Sequence, residues 1–134
     1  MTLDMFLKGK KTPNWIGMDI EGYCFEVLNG MIGLLESRIP LKLVIELHLT
    51  LLGKLKTVKI LETLRYYGFE IKTAIIEPVP MMYKHAQLRE IMNSCILFKT
   101  GWKIGYNYPA IKNLLTDDDL LEGKIEALEI LFVR

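Results

Sequence analysis

The chain is poor in several things that would have settled its class at once. It has 2 cysteines, Cys24 and Cys95, among 134 residues, too few and too far apart for a disulfide framework, so the expected setting is a reducing cytoplasm with both thiols free. Net charge is nearly absent, with 17 basic against 16 acidic side chains, which excludes the strong field of a nucleic-acid binder; Lys8, Lys10 and Lys11 form a local cluster only. Long apolar runs are missing as well. Val27 to Leu35 and Ile91 to Phe98 fall far below the ~20 residues of a membrane span, and the first seven residues lack the basic-then-apolar order of a secretory signal. No internal repeat or low-complexity tract is visible. No glycine-rich loop of the phosphate-cradling kind follows a strand, because Gly30-Met-Ile-Gly33 falls inside a helical pattern.

What is plentiful is apolar side chain. The hydrophobic share is 51%, high for a length that buries only roughly two-thirds of its unfolded surface, so some apolar surface is expected to be left for a partner. The length itself bounds the chain at one domain.

Element signals are clear in the first half. Thr2 and Asp4 predict a short capped helix ending before Gly9. Asn14 to Gly22 is an apolar run that turns acidic and meets a glycine, as a buried strand over 15–20 does when its carboxyl end opens into a site. Cys24, Phe25, Val27, Leu28, Met31, Leu34 and Leu35 recur at helical spacing, predicting a helix kinked at Gly30 and Gly33 and ended before Pro40. Residues 41–49 alternate, with Leu43, Ile45 and Leu47 on one face and Glu46 and His48 on the other. A helix over 53–67 stopped by Gly68, then a strand over 69–76, complete a βαβαβ core over 2–76 with short links, which predicts a parallel sheet. Beyond Pro80 the spacing predicts a helix over 83–95, a loop over 99–109, a one-turn helix from Thr116 and a last strand over 125–133.

In open parallel sheets ligands bind beyond the carboxyl ends of the strands. Asp19 and Glu21 follow the first strand, and Glu46 and His48 close the second. If the two strands are neighbours, one rim carries three carboxylates and an imidazole, enough for a general base, a hydroxyl-orienting acceptor or a divalent-metal site. The plainer alternative makes Glu46 and His48 rim residues bonded to backbone and Asp19 the cap of the next helix. His85 reads as a surface histidine, Asp117 to Asp119 as a solvated helix start, and Trp102, Tyr106 and Tyr108 as loop-pinning aromatics. Cys24 reads as a buried thiol.

Met18-Asp19-Ile20-Glu21-Gly22 followed by Val27-Leu28-Asn29-Gly30 resembles the K-I-D-V-E-G-A-E…V-L-x-G motif of the FkbM family of S-adenosylmethionine-dependent methyltransferases. Thr2-Leu3-Asp4 ahead of it, Leu43-Val-Ile-Glu-Leu-His48 beside the family's I-x-I-E-x-H, Tyr67-Gly68-Phe69-Glu-Ile71 beside its G-Y-x-I and the closing Leu131-Phe-Val-Arg134 agree in order. The resemblance implies an α/β fold, a partial Rossmann-like class I methyltransferase sheet of strands four to seven with flanking helices. It implies O-methyl transfer to hydroxyls of sugars or natural products. By carry-over His48 would be the first choice of base and Asp19 the second, Glu21 and Glu46 would complete the catalytic set, and Asp19 and Gly22 would lie on the side of S-adenosylmethionine; no metal ligand is assigned. Two positions depart from the motif: the family's lysine is Gly17, and its G-A-E is Gly22-Tyr23-Cys24.

The glycine-rich loop after strand one and the acidic residue after strand two do not occur in residues 1–134. The chain therefore reads as a single truncated domain, with 77–122 a variable insertion and 123–134 the final strand. Such a half-domain is expected to be inactive, and not to bind S-adenosylmethionine, without a second polypeptide that supplies the cofactor-binding half. The competing expectation is a non-catalytic interaction or scaffold module that dimerises or pairs through the open sheet edge at Trp15 to Met18.

Overall fold

The computed structural model describes residues 1–76, 96–100, 103–107 and 127–134. The described elements are helix α1 (Leu3–Leu7), strand β1 (Trp15–Met18), helices α2 (Cys24–Asn29) and α3 (Ile32–Glu36), strand β2 (Lys42–His48), helix α4 (Leu49–Tyr66), and strands β3 (Glu70–Ile76), β4 (Ile96–Thr100), β5 (Lys103–Asn107) and β6 (Ala127–Val133). The six strands form one sheet in the order β1-β2-β6-β3-β5-β4. The expected helix over 83–95, the one-turn helix from Thr116, and His85, Trp102, Tyr108 and Asp117 to Asp119 lie outside the described residues.

The sheet is mixed α/β and not parallel throughout, which corrects the expectation from the βαβ order. β1 and β2 are parallel neighbours, but β6 lies between β2 and β3 and runs antiparallel to both. A strand arriving from the far end of the chain inserts in the gap that the crossover from β2 to β3 leaves, and no local periodicity records that. The predicted loop over 99–109 is also corrected. β5 occupies 103–107 and pairs antiparallel with β3 and β4, so cross-strand hydrogen bonds override a Gly- and Asn-containing sequence of weak strand propensity.

Strict alternation makes β2 two-faced. Leu43, Ile45 and Leu47 are fully buried, together with Leu41, Ile130, Phe132 and Ala74, while Val44, Glu46 and His48 are only half-buried. Leu28, Met31, Leu35, Ile60 and Leu64 cover the apolar face from α2, α3 and α4. The anticipated single kinked helix over 24–35 is two helices separated at Gly30 and Met31. Asp4 of α1 fills that break: its carboxylate accepts from the backbone N–H of Gly33 at 2.8 Å and of Leu34 at 3.0 Å, capping α3, whose own N-cap residue, Met31, offers no side-chain bond.

α4 begins at Leu49, earlier than expected, and kinks at Gly53. It stops where the sequence indicated. Gly68 stands at φ +84, Gly68 N–H bonds Arg65 O at 2.9 Å and Phe69 N–H bonds Leu64 O at 2.9 Å, the Schellman pattern that only a residue at ease in the left-handed region closes cheaply. Arg134 then locks this end. Its guanidinium donates to Leu35 O at 2.6 Å, to Ile39 O at 3.1 and 3.0 Å and to Tyr67 O at 3.2 Å, and it lies 4.6 Å from the Phe69 ring centroid. Burial and the nearby Arg38 charge lower its pKa from the usual arginine value.

Candidate active site

The parallel register pairs Met18, the last residue of β1, with Ile45, so β2 runs on past the end of β1 and its Glu46 and His48 lie alongside the segment that carries Asp19 and Glu21. Beyond β1 the backbone turns sharply. Tyr23 N–H bonds Ile20 O at 3.0 Å, and both central residues of that turn have positive φ, Glu21 at 46° and Gly22 at 86°. A glycine accepts this freely, whereas glutamate does so at a cost of roughly 1–2 kcal/mol. Gly22 is also held by contact, since a Cβ there would stand 3.0 Å from the Cβ of Leu51 in α4. The turn therefore rests on the start of α4 and points the Glu21 side chain back over the rim.

Three carboxylates surround one imidazole there. His48 Nε2 is 3.8 Å from Asp19 Oδ1, 3.7 Å from Glu21 Oε2 and 4.0 Å from Glu46 Oε2. His48 and Glu46 are mostly covered, with side chains 21% and 19% exposed, whereas Asp19 and Glu21 reach solvent at 70% and 75%. These distances are too long for hydrogen bonds, and Nε2 itself is buried without a hydrogen-bond partner. A buried polar atom without a partner in the protein is uncommon. The arrangement can accept a proton at Nε2 and stabilise the resulting imidazolium with the surrounding negative charge.

All four residues that the sequence assigned to catalysis, Asp19, Glu21, Glu46 and His48, thus share one rim. Gly22, assigned to the cofactor side, forms the turn beneath Glu21. Asp19 is not a helix cap: the N-cap residue of α2 is Tyr23, and it makes no side-chain cap bond. Cys24 is fully buried, donates its S–H to Glu46 O at 3.3 Å and has its pKa pushed up to about 11, chiefly by burial. It is a thiol at neutral pH and no nucleophile. One residue escaped the sequence reading. Glu129 of β6 is the cross-strand neighbour of Glu46, and the only trace of it was a charge at an outward position in an alternating strand.

The family model for the methyltransferase FkbM domain matches residues 1–71, more than half of the chain and inclusive of Asp19, Glu21, Gly22, Glu46 and His48. The chain belongs to the FkbM methyltransferase family. Neither a curated protein nor a solved structure matches it. The FkbM membership makes this a methyltransferase-like module, and the family in general depends on S-adenosylmethionine. No described helix is long and apolar enough to cross a membrane.

Proposed function

We propose that the rim of β1 and β2 is the acceptor side of an S-adenosylmethionine-dependent O-methyltransferase site, with His48 as general base. The observation that carries the reading is Nε2 of His48, buried, without a hydrogen-bond partner and ringed by carboxylates of Asp19, Glu21 and Glu46. Strand order supports it: β1-β2-β6-β3 with β6 reversed reads as strands four, five, seven and six of a class I methyltransferase sheet.

S-adenosylmethionine supplies an electrophilic methyl group on a cationic sulfonium. The exposed carboxylate of Asp19 suits such a cation, and Asp19 and Gly22 are the residues that would hold it. His48 would take the acceptor hydroxyl's proton at Nε2, leaving that oxygen free to receive the methyl group that S-adenosylmethionine would supply when bound. Glu21 and Glu46 stabilise the imidazolium, and Asp19 is the second choice of base. General-base assistance of this kind contributes typically 10²–10⁴-fold, the remainder coming from in-line positioning. A trough of about 390 Å³ between Trp15, Gly17, Val44, Ile75 and Leu131 runs along the same sheet face as Glu46 and His48 and is the path for the acceptor. Gly17 keeps it open, since nothing lies within 4 Å of where its Cβ would be.

Catalysis further requires a glycine-rich donor loop, which residues 1–134 do not contain; a further segment or a partner polypeptide supplies it. The test has two arms. Calorimetry of the 134-residue chain with S-adenosylmethionine is expected to give no detectable heat, and micromolar affinity would overturn the divided site. In the completed complex, His48→Ala is expected to lower turnover by roughly 10²–10⁴-fold, and an unchanged rate removes His48 from the base role.

A second reading has its own observation. β1 is an edge strand of four residues whose Trp15 is 53% exposed, and such an edge suits a non-catalytic module that dimerises by strand addition. Native mass measurement separates the two: a homodimer without methyl transfer favours the module.

A further inference from the structure

We propose that Asp19, Glu21 and His48 form a binding site for one divalent transition-metal cation, with Mn²⁺ as its model ion. One atom from each, Oδ1 or Oε2 of the carboxylates and Nε2 of the imidazole, lies within 4.8 Å of the others. Donor atoms around a first-row cation with bonds of ~2.1 Å stand about 3.0–3.5 Å apart. The observed 3.8 and 3.7 Å from Nε2 need a few tenths of an ångström of contraction, and the two carboxylates, within 4.8 Å of each other, close by up to roughly 1.5 Å. Asp19 and Glu21 have exposed, rotatable side chains that can supply it.

The independent observation is again the buried Nε2. When Nε2 carries no proton, its lone pair faces three carboxylates, and a cation among the groups makes each contact favourable. Asp19 and Glu21 have His48 as their only ion-pair partner among the described residues, so their charges are not already committed to a lysine or arginine. Glu46, 4.0 Å from Nε2, adds negative potential from behind. One imidazole with two carboxylates suits Mn²⁺, Fe²⁺ or Zn²⁺ better than the all-oxygen shell that Ca²⁺ prefers. The exposure of both carboxylates leaves coordination positions open toward solvent, as a reactive and not a purely structural site requires.

The ion and the acceptor's proton compete for the one lone pair on Nε2, so the metal-bound chain is not the base form; the site does not depend on methyl transfer, and its test uses no methyl donor. Free Mn²⁺ is followed by electron paramagnetic resonance as it is titrated into the metal-free 134-residue chain at pH 7.5. Uptake of one ion per chain, broadening of the His48 imidazole resonances and at least roughly tenfold weaker uptake by Glu21→Gln are expected. Glu21 is exposed, so its substitution leaves the fold intact, and circular dichroism confirms that for His48→Gln, expected to weaken uptake at least as much. No saturable uptake at millimolar Mn²⁺, uptake unchanged in Glu21→Gln, or equal uptake of Ca²⁺ would each overturn the assignment.

Discussion

Replacing Arg134 by methionine, which keeps the length of the stem and removes the guanidinium, isolates the contribution of a single cation to the fold. Arg134 makes four N–H···O contacts to three backbone carbonyls, those of Leu35, Ile39 and Tyr67. These belong to the end of α3, the approach to β2 and the end of α4, so one side chain joins three segments that the sequence keeps far apart. A hydrogen bond to a charged group contributes roughly 1.5–3 kcal/mol, and an acceptor left buried and unpaired costs about 1–3 kcal/mol. Part of this is recovered because the site is only partly buried and water reaches some of the carbonyls, and the contacts are not additive. Adding roughly 0.5–1 kcal/mol for the guanidinium against Phe69, the expected loss is about 3 kcal/mol, a large fraction of the ~5–15 kcal/mol of a typical domain. Urea denaturation followed by far-ultraviolet circular dichroism reads this directly. With a slope of about 1.5 kcal/mol per molar, the midpoint should fall by about 2 M. Arg134→Lys, which keeps the charge but cannot reach three carbonyls from one plane, should lose about half as much. A midpoint for Arg134→Met within about 0.3 M of the parent, or a lysine variant equal to the parent, would refute the account.

Two glycines should respond oppositely to the same methyl group. Gly17→Ala adds it to open space in a strand and should stabilise by about 0.5 kcal/mol, whereas Gly22→Ala meets Leu51 Cβ and a φ of 86° and should cost about 2 kcal/mol by urea denaturation; equal effects would contradict the described turn. Cys24 gives a pH signature. With its pKa raised from 9.0 to about 11, the unfolded chain loses this proton first, so the stability it contributes is complete below pH 9 and is lost as pH rises from 9 to 11. The difference between the parent and Cys24→Ala should therefore shrink by about 1–2 kcal/mol across that window in denaturation series at matched pH, and a difference that holds constant would show the thiol to be solvated.

The first half of the fold was legible because its signals are local. Alternation in residues 42–48 announced both faces of β2, and the glycine after Tyr67 announced the end of α4. The misreadings are non-local. β5 carries Gly105 and Asn107 and becomes a strand through its pairing with β3 and β4, and the insertion of β6 between β2 and β3 leaves no mark on the pattern of any one segment. The site was legible on the condition that β1 and β2 are neighbours, which their parallel register meets. What the spacing could not supply was depth: that Nε2 of His48 is buried and without a partner while Asp19 and Glu21 reach solvent follows from how the turn at Ile20 to Tyr23 folds back over the strand ends.

Folding and chemistry share strand β2 without sharing a face. Leu43, Ile45 and Leu47 fix whether the chain folds; Val44, Glu46 and His48 face away from them. A change at 46 or 48 therefore removes no apolar surface from the interior, and a change at 43 or 45 touches no group on the rim. The two kinds of mutational load are separable, so the rim can be rebuilt for a different acceptor, or lose its chemistry altogether, by steps that each leave a folded protein behind.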